Sequence, residues 1–315
     1  MSSAASRAGL FGRRARTVLL VFAFAVGLGM VTTRSDALPA AAPAPTPLRI
    51  LLTNDDGWNA PGIQAMKTSL EAAGHTVTVV APSRNRSGSS VAFTADFFTQ
   101  LDVVQQSTNV WSVSGTPADA VLVGLRVVMK DTPPDLVISG ANMGQNVGRT
   151  ANSSGTVGAA LMATQLDKPA IAVSVGVDPA EYATGFPSTM AAFPRAGTFT
   201  VNTIKELQKS ATNGVLLPSR QLLNINYPAR AAANITGVAH TSMGGTLDVV
   251  PNYAAAGPGK YTIIPELRND TDKPDSDVTK FRAGNITITP LDGDWTADST
   301  ARVTMLFRLY GLKVV

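Results

Sequence analysis

The chain has 315 residues, 44% hydrophobic and 15% charged, enough for one large domain with an ample core. It contains no cysteine and two histidines, His75 and His240, which excludes disulfides, thiolate metal sites and cysteine nucleophiles and argues against a histidine-rich zinc centre. The formal net charge of +4 is carried by residues 1–37, which hold five Arg and one Asp; the rest of the chain is neutral, so no polymeric nucleic acid partner is expected.

In chain order, Arg7, Arg13, Arg14 and Arg16 precede an uncharged apolar run from Val18 to Val31, followed by small residues around Ser35-Asp36-Ala37. That is the order of a secretory signal peptide over residues 1–37, with cleavage expected near Ala37. The run is short against a membrane span of about 20 residues. Export to the periplasm or medium is therefore expected, without stable membrane association once the leader is removed. Residues 38–47 (LPAAAPAPTP) form an extended Ala/Pro tether, and the domain occupies 48–315.

The domain opens with a short apolar strand, Ile50-Leu51-Leu52, running into Asn54-Asp55-Asp56-Gly57. Pro61 suits a helix start, and Ile63, Met66, Leu70 and Ala73 fall on one helical face, with Gly74 as the stop. His75 to Ala81 is a second β-rich run, completing a βαβ unit with parallel strands; His75 is expected to begin that strand as a structural residue. A polar loop, Pro82 to Ser90, follows. Strands are expected at 110–113, 135–139 and 170–174, and helices at 117–129 and 154–166, with a long Asn/Gly loop between Gly140 and Ser153. The alternation predicts an α/β fold: a Rossmann-like, doubly wound, mostly parallel sheet over about 48–210. After a helix near 201–209, β-rich pieces at 222–226, 235–240, 261–264 and 285–289 are broken by Pro and Gly, predicting a β-rich C-terminal extension over about 211–315 suited to self-association.

Open α/β sheets bind ligands beyond the carboxyl ends of their strands. Three polar clusters fall there: Asn54 to Asp56, Arg84 to Ser90, and Asn142 to Gly148. They offer carboxylate, hydroxyl and carboxamide oxygens, the donor set of Mg²⁺ or Mn²⁺. Ser154-Gly155-Thr156 then opens a helix whose free N–H groups form a phosphate seat. Asn146, in the third cluster, is placed to orient water or phosphate. Each piece alone also reads as turn or capping chemistry. Their convergence on one sheet edge points to phosphate-ester chemistry at a metal.

The stretches ILLTNDDGWNAPGIQAM, GHTVTVVAPSRNRSGSS, SGTPADAV, PDLVISGANMGQN, SGTVGAA, LLNINYP and ITITPLDGDWT, in this order, resemble the SurE survival-protein family of 5′/3′-nucleotidases. The resemblance runs from about Arg49 to Thr296. It implies a metal-dependent phosphatase of nucleoside monophosphates, with metal ligands at Asp55, Asp56, Ser87 and Asn142 and assembly as a homodimer or homotetramer through the C-terminal part. Asp55 and Asp56 would carry the catalytic burden through the ion. The chain departs from the family pattern at Thr150, where an acidic residue is common, at Ser153 (aromatic or His), at Ala120 (Cys) and at Met162 (Glu). Two other functions compete: an exported nucleotide-binding protein with a degenerate metal site, and a glycosyltransferase-like enzyme using nucleotide sugars, which would add a second Rossmann-like domain.

Overall fold

The computed structural model describes residues 46–309 apart from 295, 297 and 298. The expected leader and most of the tether lie outside the described residues. The strands are β1 (Arg49–Thr53), β2 (Thr76–Pro82), β3 (Val103–Ser107), β4 (Val110–Val113), β5 (Leu136–Met143), β6 (Ala170–Val175), β7 (Leu222–Tyr227), β8 (Gly237–His240), β9 (Val249–Ala255), β10 (Tyr261–Leu267) and β11 (Asn285–Leu291). The helices are α1 (Pro61–Ala72), α2 (Pro117–Val123), α3 (Gly155–Gln165), α4 (Pro187–Ser210), α5 (Asp277–Arg282) and α6 (Ser299–Leu309). A π-helical turn, Gly124–Val128, continues α2.

Nine strands form one sheet in the order β3-β4-β2-β1-β5-β6-β7-β11-β8. The run from β4 through β7 is parallel. The edge strand β3 is antiparallel to β4, and β11 is antiparallel to β7 but parallel to β8. The C-terminal strands β7, β11 and β8 continue the same sheet and build no second Rossmann-like domain; β9 and β10 pair only with each other, as an antiparallel hairpin. The expected fold class is what the chain adopts.

Alternation along β1 divides the core into two layers. Ile50 and Leu52 pack with Ile63, Met66, Leu70, Phe193, Val201 and Ile204 of α1 and α4, whereas Leu51 packs with Val121, Val157, Ala160 and Leu161 of α2 and α3. All three β1 residues are fully buried, worth roughly 1.5–3 kcal/mol each. Gly124 lets the end of α2 settle on the Leu51 side chain, where an added Cβ would lie 2.7 Å from both methyls. His75 is structural, as expected: its Nδ1 accepts the Leu48 amide at 3.1 Å.

Two departures from the sequence expectation have clear causes. Helix α4 begins at Pro187, well before the expected start near 201, because Pro194 lies inside it and interrupts the helical pattern. Strand β3 is exposed along its length, so no apolar alternation marks it.

Candidate metal and phosphate site

Moving outward from β1, parallel strands β2 and β5 flank it on opposite sides, so the sheet order reverses there. That is the topological switch point at which open α/β sheets form a ligand crevice. Asn54 turns the chain at the carboxyl end of β1: its Oδ1 accepts the Gly57 amide at 3.1 Å and its Nδ2 donates to the Gly57 carbonyl at 2.9 Å. Gly57 sits at φ +117°, conformational space open to glycine. This closed turn holds Asp55 and Asp56 at the crevice.

Asp55, only 3% exposed, faces the start of α3, and the Thr156 hydroxyl donates to its Oδ1 at 2.6 Å. The approach depends on Gly155, since an added Cβ would lie 2.8 Å from Asp55 Oδ2 and from Ser89 Oγ. Asp56 Oδ2 accepts the Met143 amide at 3.0 Å, from the end of β5. Its Oδ1 is 3.4 Å from Asn85 Nδ2. The 84–90 loop is drawn over the pair by the Arg86 amide, which donates to the Asp55 carbonyl at 2.7 Å.

Burial raises the Asp55 carboxyl above the usual range, opposed by the Thr156 hydroxyl and by backbone amides of Asp55, Thr156 and Gly155. Burial, reinforced by the charge on Asp55, pushes Asp56 up to about 6, opposed by the Met143 amide. Neither carboxylate has an ion-pair partner among the described residues. Adjacent carboxylates, one buried and one half-buried, repel each other without a counter-charge, and a divalent cation offsets both the repulsion and the desolvation. Carboxylate, hydroxyl and carboxamide oxygens are the donors that hard divalent cations take, while no group of three or more His, Asp or Glu that could hold a metal ion is found among the described residues.

The structure places the expected residues unevenly. Asn142 directs Nδ2 to the Gly144 carbonyl at 2.7 Å, leaving Oδ1 as its remaining donor atom. Ser87 lies in the loop over the carboxylates, its amide bonded to Asn85 Oδ1 at 2.9 Å and its hydroxyl exposed. Ser154 is the N-cap of α3, its hydroxyl accepting the Val157 amide at 3.1 Å, so it supports the helix start. Gly155 and Thr156 present that start to Asp55 and hold the seat from within. Asn146 is buried and turned inward: Nδ2 donates to Ser174 Oγ at 2.9 Å, its amide donates to Asn226 Oδ1 at 2.7 Å, and its carbonyl accepts from Asn224 at 2.8 Å. Asn85, Ser174, Asn224 and Asn226 escape sequence reasoning. The last two lie on one face of β7, where polar residues at alternate positions in a buried strand were the available signal.

The departures from the family pattern take structural places. Ala120 and Met162 share the hydrophobic layer beneath α2 and α3, where a methionine replaces a carboxylate that would need a partner. Thr150 Oγ1 accepts the Asp248 amide at 3.2 Å, and the exposed Ser153 donates to the Thr150 carbonyl at 3.1 Å.

Fold and site together define a Rossmann-like α/β protein with a pair of adjacent carboxylates facing a helix N-terminus at its switch point. The family model described as Survival protein SurE matches residues 50–247. Among similar proteins, the 5′-nucleotidase SurE of Gloeobacter violaceus is 35% identical over 79% of this chain and 91% of its own length. The 5′/3′-nucleotidase SurE of Yersinia pestis (strain Pestoides F) is 35% identical over 79% of this chain and 92% of its own. The crystal structure of the SurE protein from Aquifex aeolicus superposes with a TM-score of 0.67 at 29% identity, covering 82% of this chain and 99% of that one. The chain belongs to the SurE family.

Proposed function

We propose that this protein is a metal-dependent 5′/3′-nucleotidase that hydrolyses nucleoside monophosphates to nucleoside and phosphate. The observation that carries the reading is the pair of buried Asp55 and half-buried Asp56, without a cationic partner among the described residues, set against the start of α3. The names of the relatives, 5′-nucleotidase and 5′/3′-nucleotidase SurE, support the substrate class.

In this reading Asp55, Asp56, Asn142 Oδ1 and Ser87 Oγ would hold the cation. A bound Mg²⁺ or Mn²⁺ supplies Lewis acidity toward a phosphate oxygen and a water of lowered pKa. The Thr156 hydroxyl orients Asp55, the Asn54 turn keeps both carboxylates in place, and the Gly155 and Thr156 amides at the start of α3 bear on the Asp55 carboxylate. Asn146, although turned inward, keeps its Oδ1 as the side-chain atom left for water or phosphate.

Purified residues 38–315 are expected to release phosphate from nucleoside monophosphates with Mn²⁺ present and to lose about 10³-fold in rate on chelation. Nucleotide binding without turnover would favour the degenerate site. Turnover of nucleotide sugars alone would favour the glycosyltransferase reading, which the joining of β7, β11 and β8 to the same nine-stranded sheet speaks against.

The arginine-rich start, apolar run and small-residue site of residues 1–37 support export. The β9–β10 hairpin exposes Tyr253, Tyr261 and Ile263, which supports assembly as a homodimer or homotetramer. Exported material is expected to start near Leu38 by N-terminal sequencing and to scatter light as an oligomer. A full-length chain recovered only from membranes, or a monomer at micromolar concentration, would refute the respective half.

A further inference from the structure

We infer that Asp277 is a positioning residue for the site, holding the 144–150 loop in register from the far end of the chain. The inference rests on the proposed function, which leaves Asn146 Oδ1, inside that loop, for water or phosphate. Asp277 is fully buried in the first turn of α5 and has no ion-pair partner among the described residues. Backbone amides alone satisfy it. Oδ1 accepts from Gly148 at 3.0 Å, Gly244 at 2.8 Å and Val278 at 2.8 Å, and Oδ2 accepts from Gly148 at 3.1 Å. A buried carboxylate held only by N–H donors is costly to place and costly to remove, so it ties those donors firmly together.

The tie has a direction. Gly148 stands two residues after Asn146, at φ +55°, with room for a Cβ denied by the Thr246 carbonyl at 2.4 Å and by Val278 at 2.6 Å. Residues 244–248 run beside it as a strap: the Arg149 amide donates to the Thr246 carbonyl at 2.9 Å, and Gly148 forms a β-bridge with Leu247. At the strap's end, Asp248 Oδ2 accepts Gln145 Nε2 at 2.6 Å, and Arg282, from the other end of α5, pairs with Asp248 Oδ1 at 2.9 Å. Helix α5 thus grips the loop twice, at Gly148 through Asp277 and at Gln145 through Arg282 and Asp248. Between the grips lies Asn146.

Asp277→Asn discriminates, because the carboxamide oxygen in the place of Oδ1 can still accept from Gly244 and Val278, while the NH₂ in the place of Oδ2 sets a donor against the Gly148 amide, which is shared between both oxygens in the wild type. The variant loosens the Gly148 grip and spares the others. In metal-free protein, hydrogen exchange at residues 144–150 is expected to rise at least about tenfold while exchange in β1 and β5 stays unchanged. With Mn²⁺, kcat per folded molecule is expected to fall on the order of 100-fold, with KM within about threefold. Calorimetric titration with Mn²⁺ alone should change little, since Asp55, Asp56, Ser87 and Asn142 all lie outside the 144–150 loop. Asp277→Ser, which keeps a hydroxyl acceptor for its own helix turn, is the second variant and should behave alike. A folded variant with wild-type kcat and wild-type exchange in the loop overturns the inference. So does failure of both variants to fold, which would make Asp277 a residue of the fold and nothing more. If the wild type itself shows no Mn²⁺-dependent hydrolysis, the nucleotidase reading fails, and loop exchange in metal-free protein still decides the role of Asp277.

Discussion

Asp56→Asn is expected to lower phosphatase activity about 10³-fold and, in the same molecule, to raise the stability of the metal-free protein above pH 6. The two effects share one cause. With its folded pKa at about 6 against 3.8 for the free side chain, Asp56 binds its proton more tightly in the fold than in the unfolded chain. Below 3.8 both states are protonated and nothing is lost. As pH rises toward 6 the folded state must ionise a buried group beside Asp55, and above 6 the full penalty, about 3 kcal/mol, is present. Asparagine cannot ionise, so the chelated variant should melt roughly 5 °C higher at pH 8 and should differ little from wild type at pH 4. The cation removes the same penalty by binding the ionised form, so Mn²⁺ affinity should fall as pH drops through 6. Calorimetric titration and thermal melts in chelator from pH 4 to 8 check both halves. Wild-type turnover at limiting Mn²⁺, or a lower melting temperature at pH 8, would remove Asp56 from the site. Asp55→Asn should lose activity equally but gain less stability, because Thr156 then donates to a neutral oxygen.

Gly155→Ala is the second large effect, and local propensity predicts the opposite sign. At the first turn of a helix, replacing glycine with alanine restricts the unfolded chain and adds about 0.4–1 kcal/mol of stability where the backbone permits. Here the new methyl would meet Asp55 Cβ, Asp55 Oδ2 and Ser89 Oγ, each at 2.8 Å, nearer than such carbons approach one another or oxygen. Something must shift, and the Asp55 carboxylate is tethered by Thr156. The expected result is a loss on the order of 100-fold in kcat, with weaker Mn²⁺ binding and a melting temperature within a few degrees of wild type. Gly185→Ala is no control for this, since its φ of +75° adds backbone strain of its own. An active, tight-binding Gly155→Ala variant would show that the helix start need not touch Asp55.

Much of this protein was legible in its residues because two physical signals are local. A buried parallel strand must be apolar on both faces, so Ile50-Leu51-Leu52 declares itself, and the polar residues after it mark where the chain leaves the sheet. The helix start at Ser154 is equally local, since an N-cap hydroxyl bonds its own first turn. Those signals determined the α/β class, the sheet edge used, and Asp55 and Asp56 as its charged pair. Tertiary structure alone decided the rest, through contacts between residues far apart in the chain. It turned Thr156 toward Asp55 across 101 positions, sent Asn146 inward to Asn224 and Asn226, and brought Asp277 to Gly148 across 129 positions. It also joined the Pro- and Gly-broken C-terminal strands to the parallel sheet, because β7 finds in β6 the backbone partner that its own sequence cannot announce. Hydrogen bonds between distant backbones carry no side-chain pattern, and a buried carboxylate satisfied only by amides looks in sequence like any other aspartate.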